Sequence, residues 1–154
     1  MPVGATSDLY FDAVGAHAPG YAAAPRVSPD EAATDSELGG QRYFTFRRVE
    51  DLRAVMADRG DEDKQVVVTE FGWTTDARED SPYHWFAVSD GERANHIRDA
   101  YDYAQASWTG WLGPMILFSA ADPAWTQDDE AWWWSVTDAS GHVKPSLRAE
   151  FAGD

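Results

Sequence analysis

Glu70 closes the run Val66-Val67-Val68-Thr69, and a carboxylate at the end of a β-branched, apolar segment is expensive unless something pairs it or uses it. Strand alternation predicts Val66, Val68 and Glu70 on one face, with the carboxylate at the mouth of an apolar sheet. His17 holds the same place at the end of an earlier apolar run, Leu9 to Ala16. Each group has a plain alternative: an ion pair with an arginine or a loop cap for Glu70, and a satisfied hydrogen bond for His17. Aromatic residues are the second source of chemistry. There are 8 Trp, 6 Tyr and 7 Phe, and Trp125, Trp132, Trp133 and Trp134 lie close together. Flat rings with a polar edge suit sugar clefts and interfaces, and they equally fill cores.

Other chemistries find no support. The chain has no GxxxxGK and no GxGxxG after a strand, so no phosphate or dinucleotide site is read and no cofactor is expected. It has no GxSxG elbow. Histidines 17, 84, 96 and 142 show no ligand spacing, so no metal is expected. Asp122, Asp128, Asp129 and Glu130 lack the spacing of a calcium loop and read as a solvated acidic segment.

The elements that must position these residues alternate. Leu9 to Ala16 reads as a buried strand, stopped at His17-Ala-Pro-Gly20. Residues 18–42, rich in Ala, Pro, Gly and Asp, read as a long loop. Phe46, Val49, Leu52, Val55 and Met56 have helical spacing, which predicts a helix over Phe44 to Asp58 with Gly60 as its stop. Gln65 to Phe71 reads as a strand buried on both faces, followed by a loop to Ser89. Ser89 and Glu92 form a capping box for a helix from Gly91 to Ser107, whose stripe is Ala94, Ile97, Tyr101, Ala104 and Trp108. Pro114 to Ser119 reads as the third strand. Trp132 to Thr137 reads as a short extra strand turning at Asp138 to Gly141, and Pro145 to Phe151 as a last helical turn or two. The order β-α-β-α-β predicts an α/β fold with a parallel sheet. Its long loops follow the strands, on the face where such folds place their chemistry.

The 154 residues are enough for one domain with a real core. A net charge of −15 repels phosphate backbones and anionic lipid, so neither nucleic acid nor a membrane surface is an expected partner. Apolar runs reach only about four residues (Met115 to Phe118), too short to span a bilayer. The absence of cysteine excludes disulfides and thiol nucleophiles. The N-terminus MPVGATSDLYF carries no signal-peptide pattern.

Val66-Val-Val-Thr-Glu70-Phe-Gly-Trp73 resembles the seventh strand of the clan of retaining glycoside hydrolases built on (β/α)8 barrels, the cellulase-like family 5 and xylosidase-like family 39 group. Phe11-Asp-Ala-Val-Gly-Ala-His17 resembles strand six, and Met115-Ile-Leu-Phe118 with Asp122 resembles strand eight. Trp134 to Ser146, with its Lys144-Pro145, is similar to the closing hairpin. The resemblance covers nearly the whole chain, in order. It implies the last three β/α units of a TIM barrel (strands 6–8), acting on an oligo- or polysaccharide. Glu70 would be the nucleophile, forming a glycosyl-enzyme through an oxocarbenium-like transition state. His17 would hydrogen-bond near Glu70 or a sugar hydroxyl. Trp73, Trp125 and Tyr21 would present rings to the sugar. Enzymes of this kind are often secreted.

Two departures from the pattern matter. The clan's general acid/base follows an Asn at the end of strand four, about 5–5.5 Å from the nucleophile in a retaining enzyme. Here the only Asn is Asn95, inside a predicted helix, and no Asn-Glu exists. Ser119-Ala-Ala121 stands where the clan often places a Trp, for which Trp125 would substitute. A whole barrel takes about 250 residues, so the chain is expected to be its C-terminal portion. Three parallel strands leave two unpaired edges and an uncovered face, predicting marginal stability alone, self-association, or docking to the missing half. No useful turnover is expected without a proton donor. Two other readings stay open: a non-catalytic carbohydrate-binding module and a small α/β interaction protein.

Overall fold

The computed structural model describes residues 10–148. Its core is a parallel sheet of three strands in sequential order: β1 (Ala13–Pro19), β2 (Gln65–Gly72) and β3 (Leu112–Leu117). The helices α2 (Val49–Asp58) and α3 (Asp90–Ser107) fall between the strands, so the predicted α/β alternation and parallel pairing are observed.

One face of the sheet is packed. Ala18, Val68 and Phe71 meet Phe46 and Val49 from the α2 segment and Ala94, Ile97, Ala100 and Ala104 from α3. Trp108, at the end of α3, joins the same cluster. The capping box of α3 forms as predicted: the Glu92 N–H donates to Ser89 Oγ at 3.2 Å, and the Ser89 N–H donates to Glu92 Oε2 at 2.9 Å. The opposite face is open, with Ile116 of β3 more than half exposed.

Several boundaries differ from expectation. β1 starts at Ala13 and runs through His17, so the histidine lies within the strand; Leu9 falls outside the described residues. The segment 18–42 is not all loop. It holds α1 (Pro29–Thr34), whose cap Ser28 pairs with Glu31 in a second capping box, with Pro29 in the first turn. The predicted helix from Phe44 opens as a 3-10 turn at Phe46–Arg48 before α2, and Val55 is exposed. The predicted strand over Trp132 to Thr137 is instead a short helix, α4 (Glu130–Trp134). Its carbonyls have other partners: the Arg93 guanidinium donates to Trp133 O at 3.1 Å and Ser135 O at 3.2 Å. Among the described residues only the Thr137–Val143 bridge is antiparallel, and it closes the predicted turn, where the Gly141 N–H donates to Asp138 O at 3.0 Å. A 3-10 turn, Pro145–Leu147, begins the last expected helical segment; residues 149–151 of that segment lie outside the described residues.

Candidate functional site

The end of β2 is irregular, and this decides where Glu70 points. Ala16 pairs with Val68 but His17 pairs with Glu70, so Thr69 is an extra residue on β2. A one-residue bulge inverts the alternation beyond it. Val66, Val68 and Phe71 are all buried, while Glu70 is half-exposed. The expected shared face of Val66, Val68 and Glu70 is therefore corrected: Glu70 leaves the helix-covered side. The bulge is accommodated locally. The Thr69 hydroxyl donates to Ala16 O at 3.2 Å, and Gly15 faces Thr69, where a Cβ would come within 3.2 Å of Thr69 Cγ2.

Glu70 and His17 meet in a cleft of about 200 Å³, lined also by Pro19, Phe71, Phe118, Glu130 and Trp134. His17 Nδ1 lies 3.1 Å from Glu70 Oε2, with the two side chains 56% and 42% exposed. An ionised carboxylate only accepts, so Nδ1 carries the proton of this contact. That holds one carboxylate oxygen and leaves Oε1 without a partner among the described residues. Glu70 is thus oriented by a neighbouring strand, against neither arginine nor loop N–H groups.

The cleft's other wall was not legible. Trp134, nearly buried, donates from Nε1 to Glu130 Oε1 at 3.1 Å, an i,i+4 contact made possible by the unexpected α4. The Glu130 carboxylate near Tyr83 pushes the Tyr83 phenol up. The acidic run 128–130 is exposed, as expected of a solvated segment, and Glu130 also lines the cleft.

The three predicted sugar-facing rings are scattered. Trp73 is 1% exposed; its Nε1 donates to Ala23 O at 2.9 Å, and its ring fills the space a Cβ on Gly20 would take. That expectation is corrected, because the ring is core and does not line the cleft. Trp125 sits in the turn after β3, where its N–H donates to Asp122 O at 3.0 Å, and it is outside the cleft lining. Tyr21 joins an aromatic group with Tyr43, Phe44, Trp85 and Phe86 beyond the cleft, and its φ of 54° is left-handed.

Arg48 ties the two regions together. Its Nε donates to His17 O at 2.8 Å and its guanidinium lies 4.0 Å from the Tyr43 ring centre. The loop after β2 is held by Asp76, a fully buried carboxylate that accepts from Arg78 Nε at 2.7 Å, Arg78 Nη2 at 2.8 Å and Ser81 Oγ at 2.7 Å. The Arg78 contact is the main reason its pKa falls to about 2. Among the described residues no group of three or more His, Asp or Glu could hold a metal ion, and no helix is long and apolar enough to cross a membrane.

No family model, curated protein or solved structure matches the chain.

Proposed function

We propose that this chain carries the nucleophile of a retaining glycoside hydrolase, on what would be strands 6–8 of a (β/α)8 barrel, with Glu70 as the attacking carboxylate. The observation supporting it is the pairing of Glu70 with His17 at 3.1 Å, at the C-terminal ends of adjacent parallel strands, in a cleft walled by Trp134 and Phe118. His17 holds Oε2, and Oε1 is the oxygen left to attack an anomeric carbon. The bond from Glu70 to that carbon forms as the glycosidic bond breaks, and the leaving oxygen departs with the electron pair. A sugar leaving group needs a proton at that moment, and the chain's sequence offers no Asn-Glu to supply it. An aryl leaving group that is stable as an anion needs none. The partner is an oligo- or polysaccharide.

The test uses that difference. The chain is incubated with a panel of 2,4-dinitrophenyl 2-deoxy-2-fluoroglycosides and weighed intact. One sugar is expected to add covalently, on the peptide containing Glu70, and Glu70→Gln to take none. No adduct with any sugar, or an adduct elsewhere that survives Glu70→Gln, refutes the proposal.

A further inference from the structure

Two of the exposed large apolar side chains, Tyr43 at 53% and Trp85 at 45%, belong to one ring cluster. Isolated exposed rings need no explanation, but these are fixed from behind. Trp85 meets Phe44 edge-on at 5.2 Å and Phe86 at 4.9 Å, and lies nearly parallel to Tyr21, 15° apart at 6.5 Å. Its rim rests on Gly39, where a Cβ would come within 2.9 Å of Trp85 Cη2; Gly39 has a φ of +93°. Tyr43 packs on Phe44 at 5.6 Å and covers the Arg48 guanidinium. Tyr21, between them, holds a left-handed conformation rare for a bulky residue, a strain that surrounding structure must over-determine.

The cluster is continuous with the cleft. Phe86 lies 6.3 Å from Trp134, which walls the cleft, and 5.2 Å from Tyr21. Arg48 joins Tyr43 to His17 from the other side. All of these rings stand on segments that follow β1, β2 or β3. A preorganised ring with one open face loses no rotamer freedom when a flat apolar surface settles on it. Arg48, 4.0 Å from the Tyr43 ring centre, is covered by that ring and donates to His17 O, Arg42 is consumed by Asp30 and Asp51, and the net charge is −15, so an anionic ligand is disfavoured.

We propose that Trp85 and Tyr43 form a stacking subsite for a neutral sugar ring, belonging to a glycan that also occupies the Glu70 cleft. The substrate is then a chain of several sugars. This rests on the glycosidase reading, but its test reads binding and not chemistry.

The full chain is run in native gels containing a neutral β-glucan, xylan, mannan or galactan, with polygalacturonate as the anionic comparison. At least one neutral glycan is expected to retard it. Trp85→Ala and Tyr43→Ala should each weaken that affinity roughly tenfold, and Trp85→Tyr should restore most of it. Tyr43→Ala keeps the test sound if Trp85→Ala unfolds, because the Tyr43 ring is mostly solvent-exposed. Retardation that depends on Trp85 without labelling of Glu70 keeps the subsite and removes the nucleophile. The proposal is overturned if no neutral glycan retards the chain, if both alanine variants bind like the parent, or if polygalacturonate binds best. Exposed rings serving instead as a contact between copies would show as a dimer lost in Trp85→Ala, with no glycan affinity.

Discussion

Replacing Glu50 with alanine should cost about 2–5 kcal/mol of folding stability. Glu50 lies in the first turn of α2 and is the shared acceptor of three donors. Its Oε1 takes Trp108 Nε1 at 2.8 Å, the Tyr103 hydroxyl at 2.9 Å and Arg47 Nε at 3.0 Å, and Oε2 takes Arg47 Nη2 at 2.9 Å. Burial pushes this carboxyl up, and the bonds from Arg47, Trp108 and Tyr103 more than offset it, leaving it below its ordinary value. The donors are not equal. Trp108 is 2% exposed, so its indole N–H has no water to turn to and the loss is the full desolvation cost, about 1–3 kcal/mol. Tyr103 and Arg47 are partly exposed and recover water, losing about 0.5 to 1 kcal/mol each.

Urea titration followed by tryptophan fluorescence and far-ultraviolet dichroism gives the difference. Glu50→Gln keeps an acceptor for the indole but not the charge facing Arg47, so it should fall between the parent and Glu50→Ala. The decisive comparison is made in a Trp108→Phe background. With the indole donor gone, Glu50→Ala should cost at least about 1 kcal/mol less than in the parent. A Glu50→Ala variant within about 0.5 kcal/mol of the parent would refute the reasoning, as would an unchanged penalty in the Phe background.

Asp76 predicts an acid limb. Its folded pKa of about 2 lies below the unfolded value of 3.8, so its contribution is complete above about pH 4 and is lost as pH falls towards 2; Asp76→Asn should flatten that limb in acid titrations. Lys144 predicts a slope of the same sign at high pH. Burial, and then the charge of Arg93, lower it to about 8 from 10.5, so the unfolded chain binds more protons between those values and stability should rise with pH there. Chemical melts of the parent and Lys144→Met across that window check the sign, and a parent curve as flat as the variant's would count against it. Gly20→Ala places a Cβ 1.9 Å from Trp73 Cε2, inside the core, and should lower stability by about 1–3 kcal/mol or more, read as a fall in Tm.

The repeating part of the fold was legible because it is written in periodicity. The valines of β2, the stripe of α3 and the Ser89–Glu92 cap each carry a local signal, and the elements form there, with Val66, Val68, Ala94, Ile97, Ala104 and Trp108 buried, Val67 partly buried and Tyr101 exposed. The Ser28-Pro29-Asp30-Glu31 run carries the same capping signal, and α1 could have been read from it. What was not legible depends on distant partners. Trp132 to Trp134 have strand-like composition, yet Arg93 of α3 takes the carbonyls that a strand would have given to a neighbour. Trp73 looked like a loop ring because its burial is supplied by Gly20 and Ala23, about fifty positions earlier. Glu130 entered the cleft only because α4 is helical.

Glu70 was found by sequence for a reason that the structure changes. Strict alternation would have set its carboxylate among Val66, Val68 and the α3 side chains, where a charge without a partner is costly enough to be expelled or neutralised. The extra residue at Thr69 removes that conflict. It sends Phe71 into the core in place of the carboxylate and turns Glu70 to the open side, within reach of His17. The same insertion leaves Ala16 O to be satisfied by the Thr69 hydroxyl and sets the Thr69 methyl tightly against Gly15, where a Cβ would come within 3.2 Å. Thr69, Gly15 and His17 therefore act as one device for presenting a carboxylate at the end of a buried strand. Its logic is steric, and it stands apart from whatever chemistry Glu70 performs.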